Sequence, residues 1–122
     1  MFSFQRFKRS FVDAWRGIAY IYRKEQNFRI QLVLSFFILI AIILLPIRPW
    51  ETVVLILLAV MVLTMEILNT ALENFSDMFK PRVHPYVGVV KDLMAGAVLI
   101  TALGALIIGL IILLPHFISL LK

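Results

Sequence analysis

Glu66, Glu73 and Asp77 stand in the stretch "EILNTALENFSD" at the end of a long apolar run, with Asn69 and Thr70 between them. Successive helical residues turn by about 100°, so offsets of seven and eleven bring all three carboxylates to within about 20° of one direction. Two carboxylates held close repel unless a cation sits between them, and Mg²⁺ prefers such hard oxygen ligands and often brings substrate phosphates with it. A third carboxylate nearer the lipid could act as general base toward a hydroxyl. For Asp77 taken alone, a solvated helix end is a sufficient explanation. For Glu66 it is not, because a carboxylate that far along an apolar span must be paired, hydrated or cation-bound.

The elements that position these groups follow from composition. Of 122 residues, 62% are hydrophobic and 16% charged, more apolar surface than a soluble core of this length can hide. The chain is therefore read as an integral membrane protein of one domain, residues 1–122. Cysteine is absent, which excludes disulfides, thiolate metal sites and a cysteine nucleophile. Charge and aromatic residues precede the first apolar stretch and no small-residue cleavage site follows it, so it is not read as a cleaved signal peptide.

Three spans are expected at 30–47, 50–73 and 92–114. The uncharged part of the second, 52–65, gives only about 21 Å of helix against a core of about 30 Å, so this span must carry Glu66 inside a leaflet and Glu73 near its boundary. "PIRPWE" joins the first two spans as a tight antiparallel hairpin. Before the first span, Phe4, Phe7, Phe11, Trp15, Ile18 and Tyr22 recur at helical spacing, with Arg6, Lys8, Arg9, Arg16, Arg23 and Lys24 largely off that stripe. Residues 1–29 are thus expected to form an amphipathic helix lying in the membrane interface. Ten Lys and Arg fall in 1–31 and 74–92, against Arg48 and Lys122 on the other side, which puts the N-terminus and the acidic end in the cytoplasm. In the third span Ala97, Thr101, Ala105 and Gly109 line a ridge of small side chains, read as a packing face.

Other groups can converge on the acidic end. Glu25 sits where the interfacial helix turns into the first span, and Lys91 and Asp92 are expected to open the third. No glycine-rich phosphate loop is present, so nucleotide phosphates would be held by metal and by basic side chains such as Lys91. His84 is on spacing alone a loop histidine. Zinc ligation is disfavoured, since the only two histidines, His84 and His116, fall on opposite sides.

"MEILNTALENFSD", followed by "KDLMAGAVLI" and preceded by "WRGIAYIYRKEQNFRIQL", closely resembles the prokaryotic diacylglycerol kinase and undecaprenol kinase family of small membrane lipid kinases. The resemblance implies an all-α homotrimer of three-span subunits in the bacterial inner membrane, with active sites shared between neighbouring subunits. Each would transfer the γ-phosphate of ATP to a lipid alcohol. It implies Glu66 as general base and Asn69 as a supporting polar contact. It implies Glu25 and Glu73 as Mg²⁺ ligands bridging ATP, and Lys91 and Asp92, joined by Arg6 and His84, as nucleotide contacts. "NFRIQL" and "AGAVLI" look more like the undecaprenol kinase branch, whose members recycle the polyprenyl carrier of wall synthesis, than the diacylglycerol kinase branch. "HPYVGVVKD" departs from the family's usual loop, with Val90 where alanine is usual.

Two readings from other classes compete. A small transporter or channel subunit also places carboxylates in the membrane, but it predicts polarity continuing to the far side, where 53–63 and 102–114 are apolar. A non-enzymatic membrane adaptor accounts for the basic amphipathic helix and leaves Glu66 without a reason.

Overall fold

The computed structural model describes residues 1–79 and 85–122, and these are helical throughout their ordered elements: α1 Phe4–Lys24, α2 Gln26–Leu44, α3 Pro49–Asp77 and α4 Pro85–Leu121. The last three are long and apolar enough to cross a membrane. The protein is a multi-pass, all-α membrane protein with an amphipathic helix ahead of its spans.

Helix α1 starts at Ser3, whose side chain accepts the N–H of Arg6 at 3.4 Å, satisfying one of the donors that a helix start leaves free. Its aromatic stripe is not covered by protein: Phe4 is 71% and Trp15 73% exposed, and only Ile21 is buried. That stripe is free to enter a membrane surface.

The turn between α1 and α2 occupies a single residue. Glu25 is extended (φ −107°, ψ 116°) and caps both helices, the end of α1 and the start of α2. Its N–H bonds the Ile21 carbonyl at 2.8 Å, and its own carbonyl accepts Arg29 N–H at 3.3 Å. Its carboxylate makes no cap hydrogen bond, so it is left for other use. Ile21 and Phe28 are buried on either side of this elbow.

After α2 the chain turns at Leu45 and re-enters a helix at Pro49, a residue suited to the first helical position because that N–H is unpaired anyway. Glu51 completes the start by accepting the N–H of Arg48 at 3.0 Å. At 29 residues, α3 is about 44 Å long, so it exceeds the bilayer core and carries its acidic end toward water. It is also the packing centre, lying against both α4 and α2. The buried apolar residues are few, Ile21, Phe28, Leu55 and Ile112 among them, as suits a chain whose outer surface is solvated by lipid.

Three features differ from the sequence reading. The amphipathic helix was expected to run through residue 29, but it ends at Lys24, because Glu25 takes an extended conformation and α2 is already helical from Gln26. The third span was expected to open at Lys91 and Asp92, but α4 is already helical at Pro85, so both residues lie inside it. Hydropathy marks where a helix becomes apolar, whereas backbone hydrogen bonding decides where it begins. The small-residue ridge is the more covered side of α4, with Ala97, Thr101, Ala105 and Gly109 half-buried. A Cβ added at Gly104 or Gly109 would nevertheless meet nothing within 4 Å, so the close backbone approach expected there is not made within one chain.

Candidate active site

Glu66 is the deepest acid on α3, at 4% exposure. Its Oε1 accepts Nε2–H of Gln31, from α2, at 3.1 Å. One turn further along α3, Thr70 is buried as well, with no hydrogen-bond partner for its Oγ1 among the described residues. Asn69 donates from Nδ2 to Glu73 Oε1 at 3.3 Å, so its contact is to the half-buried Glu73 rather than to Glu66. The negative charges of Glu25 and Glu73 both act on Glu66, which gathers three carboxylates from the elbow and α3 into one electrostatic neighbourhood.

The wet edge of this cluster carries cations. Lys24 Nζ donates to the phenolic Oη of Tyr20 at 3.2 Å and to Asn74 Oδ1, while Asn74 Nδ2 donates to the same Tyr20 Oη at 2.9 Å. This triangle fastens the end of α1 to the end of α3. Lys91 Nζ meets Asp77 Oδ1 at 3.1 Å, tying α3 to α4, so Asp77 is not merely a solvated helix end. Asp92 is exposed beside Lys91 on α4.

Arg6 is not brought to the cluster by its own chain. It lies nineteen residues before Glu25 on α1, about 29 Å away along a straight helix. His84 lies outside the described residues. Gln31, Arg29 and the Tyr20–Lys24–Asn74 triangle went unnoticed in the sequence. For Gln31 a signal existed, an amide within the otherwise apolar "IQLVL".

Among the described residues no three His, Asp or Glu side chains form a complete metal cage. Mg²⁺ does not require one, since it is usually held by one or two carboxylates together with substrate phosphates and water. The carboxylate of Glu25, which makes no cap hydrogen bond, and that of Glu73 are hard oxygen donors of the kind this ion takes.

Fold and site together define a multi-pass helical membrane protein whose spans end in a cluster of acids around a buried glutamate. The prokaryotic diacylglycerol kinase family model matches residues 12–113, and the chain belongs to that family, a group of membrane phosphotransferases with an alcohol as acceptor. It is 38% identical over 112 residues to a diacylglycerol kinase of Synechocystis, covering 91% of this chain and 64% of that protein, so it spans less than two thirds of that relative's length. It is 38% identical to the undecaprenol kinase of Bacillus subtilis over 110 residues, 90% of this chain and 89% of that one. With the diacylglycerol kinase of Escherichia coli K12 it shares 31% over 104 residues, 85% of each.

Proposed function

We propose that the protein is an ATP- and Mg²⁺-dependent lipid kinase that phosphorylates undecaprenol, working as a homotrimer in the bacterial inner membrane with its acidic end in the cytoplasm. The observation that carries this reading is the 4% exposure of Glu66 beside the charges of Glu25 and Glu73. A buried carboxylate is poised to take a proton from a membrane-borne alcohol, and the two acids nearer water are suited to hold phosphates through a metal.

In this reading Glu66 orients the acceptor hydroxyl and takes its proton as that oxygen attacks the γ-phosphorus. The bond from phosphorus to the β,γ-bridging oxygen breaks, and ADP leaves with the electron pair. Glu25 and Glu73 would hold Mg²⁺, which when bound neutralises charge on the phosphates. Lys91 and Asp92, with His84 and Arg6, contact the nucleotide. Arg6 lies too far along α1 to serve its own Glu25, and a homotrimer lets it reach the site of a neighbouring copy. Such a site suits phosphoryl transfer because catalysis there is mainly positioning and charge stabilisation.

The acceptor's hydrocarbon has a place to lie. A groove of about 310 Å³ between α2 and α3 has an apolar lining that includes Leu32, Phe36, Leu39, Leu55 and Leu63, and it starts one residue after Gln31 in α2 and three residues before Glu66 in α3. Undecaprenol is favoured by the B. subtilis relative, which matches over nearly its full length at 38% identity, against 31% for the E. coli diacylglycerol kinase. Diacylglycerol is the second reading, supported by the name of the Synechocystis relative at the same 38%.

Purified protein in mixed micelles, offered labelled ATP with each alcohol in turn, tests both levels. Label in undecaprenyl phosphate is the expected result, and E66Q should lower the rate by about 10² to 10⁴. Label in phosphatidic acid alone would overturn the choice of acceptor, and label in neither lipid would overturn the kinase reading itself.

A further inference from the structure

Gln31 lies in the second turn of α2, facing Glu66 across the α2–α3 contact. A carboxylate offers only acceptors, so the amide must turn its Nε2–H toward Glu66 Oε1. Gln31 Oε1 is thereby left buried, with no donor among the described residues. Thr70 Oγ1, one turn beyond Glu66, is a second buried oxygen in the same condition.

Such an arrangement is a poor device for stability. A buried amide with half its capacity unmet is worse for folding than an apolar side chain of the same shape, and replacing it can be neutral or favourable. The bond has a more particular effect: it occupies one oxygen of a carboxylate whose role in the proposed reaction depends on which oxygen faces the acceptor.

We infer that Gln31 is a positioning residue for phosphoryl transfer, pinning Glu66 Oε1 so that Oε2 is presented to the acceptor hydroxyl. The acceptor O–H gives its proton to Oε2 as the new O–P bond forms and the bond to the departing ADP oxygen breaks. This inference rests on the kinase reading above. The orphaned Oε1 is then a consequence of function, since the amide cannot serve Glu66 and satisfy its own acceptor with the groups that surround it.

The test uses the full-length protein in micelles with three variants. Q31M keeps the length and removes the donor, Q31E keeps the shape and sets a second carboxylate opposite Glu66, and E66Q is the reference for loss of the base. With Q31M the thermal midpoint should stay at or above that of the parent and KM for ATP should be unchanged. Its kcat should fall about 10- to 100-fold, the scale of misplacing a reacting group by a fraction of an ångström to one ångström. In Q31E the two acids share a proton, so the acidic limb of the kcat profile should move to higher pH.

A Q31M enzyme with kcat within twofold of the parent would overturn the inference, as would a loss of kcat matched by loss of stability and a rise in KM for ATP. If the parent is active, E66Q is dead and Q31M is normal, the inference fails and the kinase reading stands. If the parent phosphorylates no lipid alcohol, the kinase reading fails and takes this inference with it.

Discussion

The guanidinium of Arg29 donates to the Tyr22 carbonyl at 2.7 Å, reaching back across the elbow from the first turns of α2 to the last turn of α1. The same nitrogen also meets the Arg23 carbonyl at 3.1 Å. Helix ends leave carbonyls without partners, and a cation there is favourable both as donor and against the helix dipole. Arg29 thus clasps the two helices whose junction is Glu25. R29M keeps most of the apolar stem but loses the clasp, and activity is expected to fall about 10- to 100-fold as Glu25 loses its fixed place. R29K should retain part of it, since lysine offers a charge without the planar fork. Steady-state rates at saturating and limiting Mg²⁺ check this: the loss should be greater at limiting metal.

Asn69 and Glu73 make a second prediction about the metal. Asn69 Nδ2 bonds Glu73 Oε1 at 3.3 Å, and a group that orients a metal-binding carboxylate commonly accounts for 10- to 100-fold in affinity or activity. N69L should therefore raise the Mg²⁺ concentration for half-maximal phosphorylation by about tenfold. E73Q should raise it further, with less change in KM for ATP measured at saturating metal. A Mg²⁺ titration of initial rates reads this directly, and an unchanged midpoint in E73Q would remove Glu73 from the proposed metal site.

What the sequence made legible was whatever depends on local periodicity. The carboxylate stripe on α3 follows from offsets of seven and eleven, and the elbow at Glu25 from the switch between an amphipathic and an apolar pattern. The groups that went unread come together only through packing. Gln31 and Glu66 are 35 residues apart, and Lys24 and Asn74 are 50 apart, and nothing local joins them. For Arg6 the role came from the resemblance alone, since a nucleotide contact in a site shared between subunits leaves no periodic signal within one chain.

The triangle at the wet edge predicts an unusual titration. Lys24 donates to the Tyr20 oxygen and Asn74 adds a second donor, and these two bonds hold the Tyr20 phenol below its ordinary value of 10.0. The bond to Tyr20 in turn holds the Lys24 ammonium above its ordinary value. As pH rises the phenol therefore loses its proton first, giving a phenolate beside an ammonium. Difference absorbance between the parent and Y20F should show Tyr20 ionising below pH 10, and K24M should move that ionisation upward. A Tyr20 titration unchanged by K24M would mean that the two groups do not meet in solution.

At the opposite end of the spans, Glu51 Oε1 accepts both the Arg48 N–H at 3.0 Å and His116 Nε2 at 3.1 Å. One carboxylate therefore both starts α3 and fastens it to the end of α4. Glu51 precedes Glu66 by fifteen residues on the same helix, about 22 Å, so its contribution should be to stability alone. E51A loses both bonds and should lower the thermal midpoint by a few degrees, with kcat within about twofold of the parent at a permissive temperature. H116F loses only the link to α4 and should have a smaller effect, because the Arg48 N–H keeps its acceptor. Since both variants remove the same contact, the double variant should be no less stable than E51A. A loss of kcat in H116F with the thermal midpoint preserved would instead couple this end of the bundle to the chemistry around Glu66.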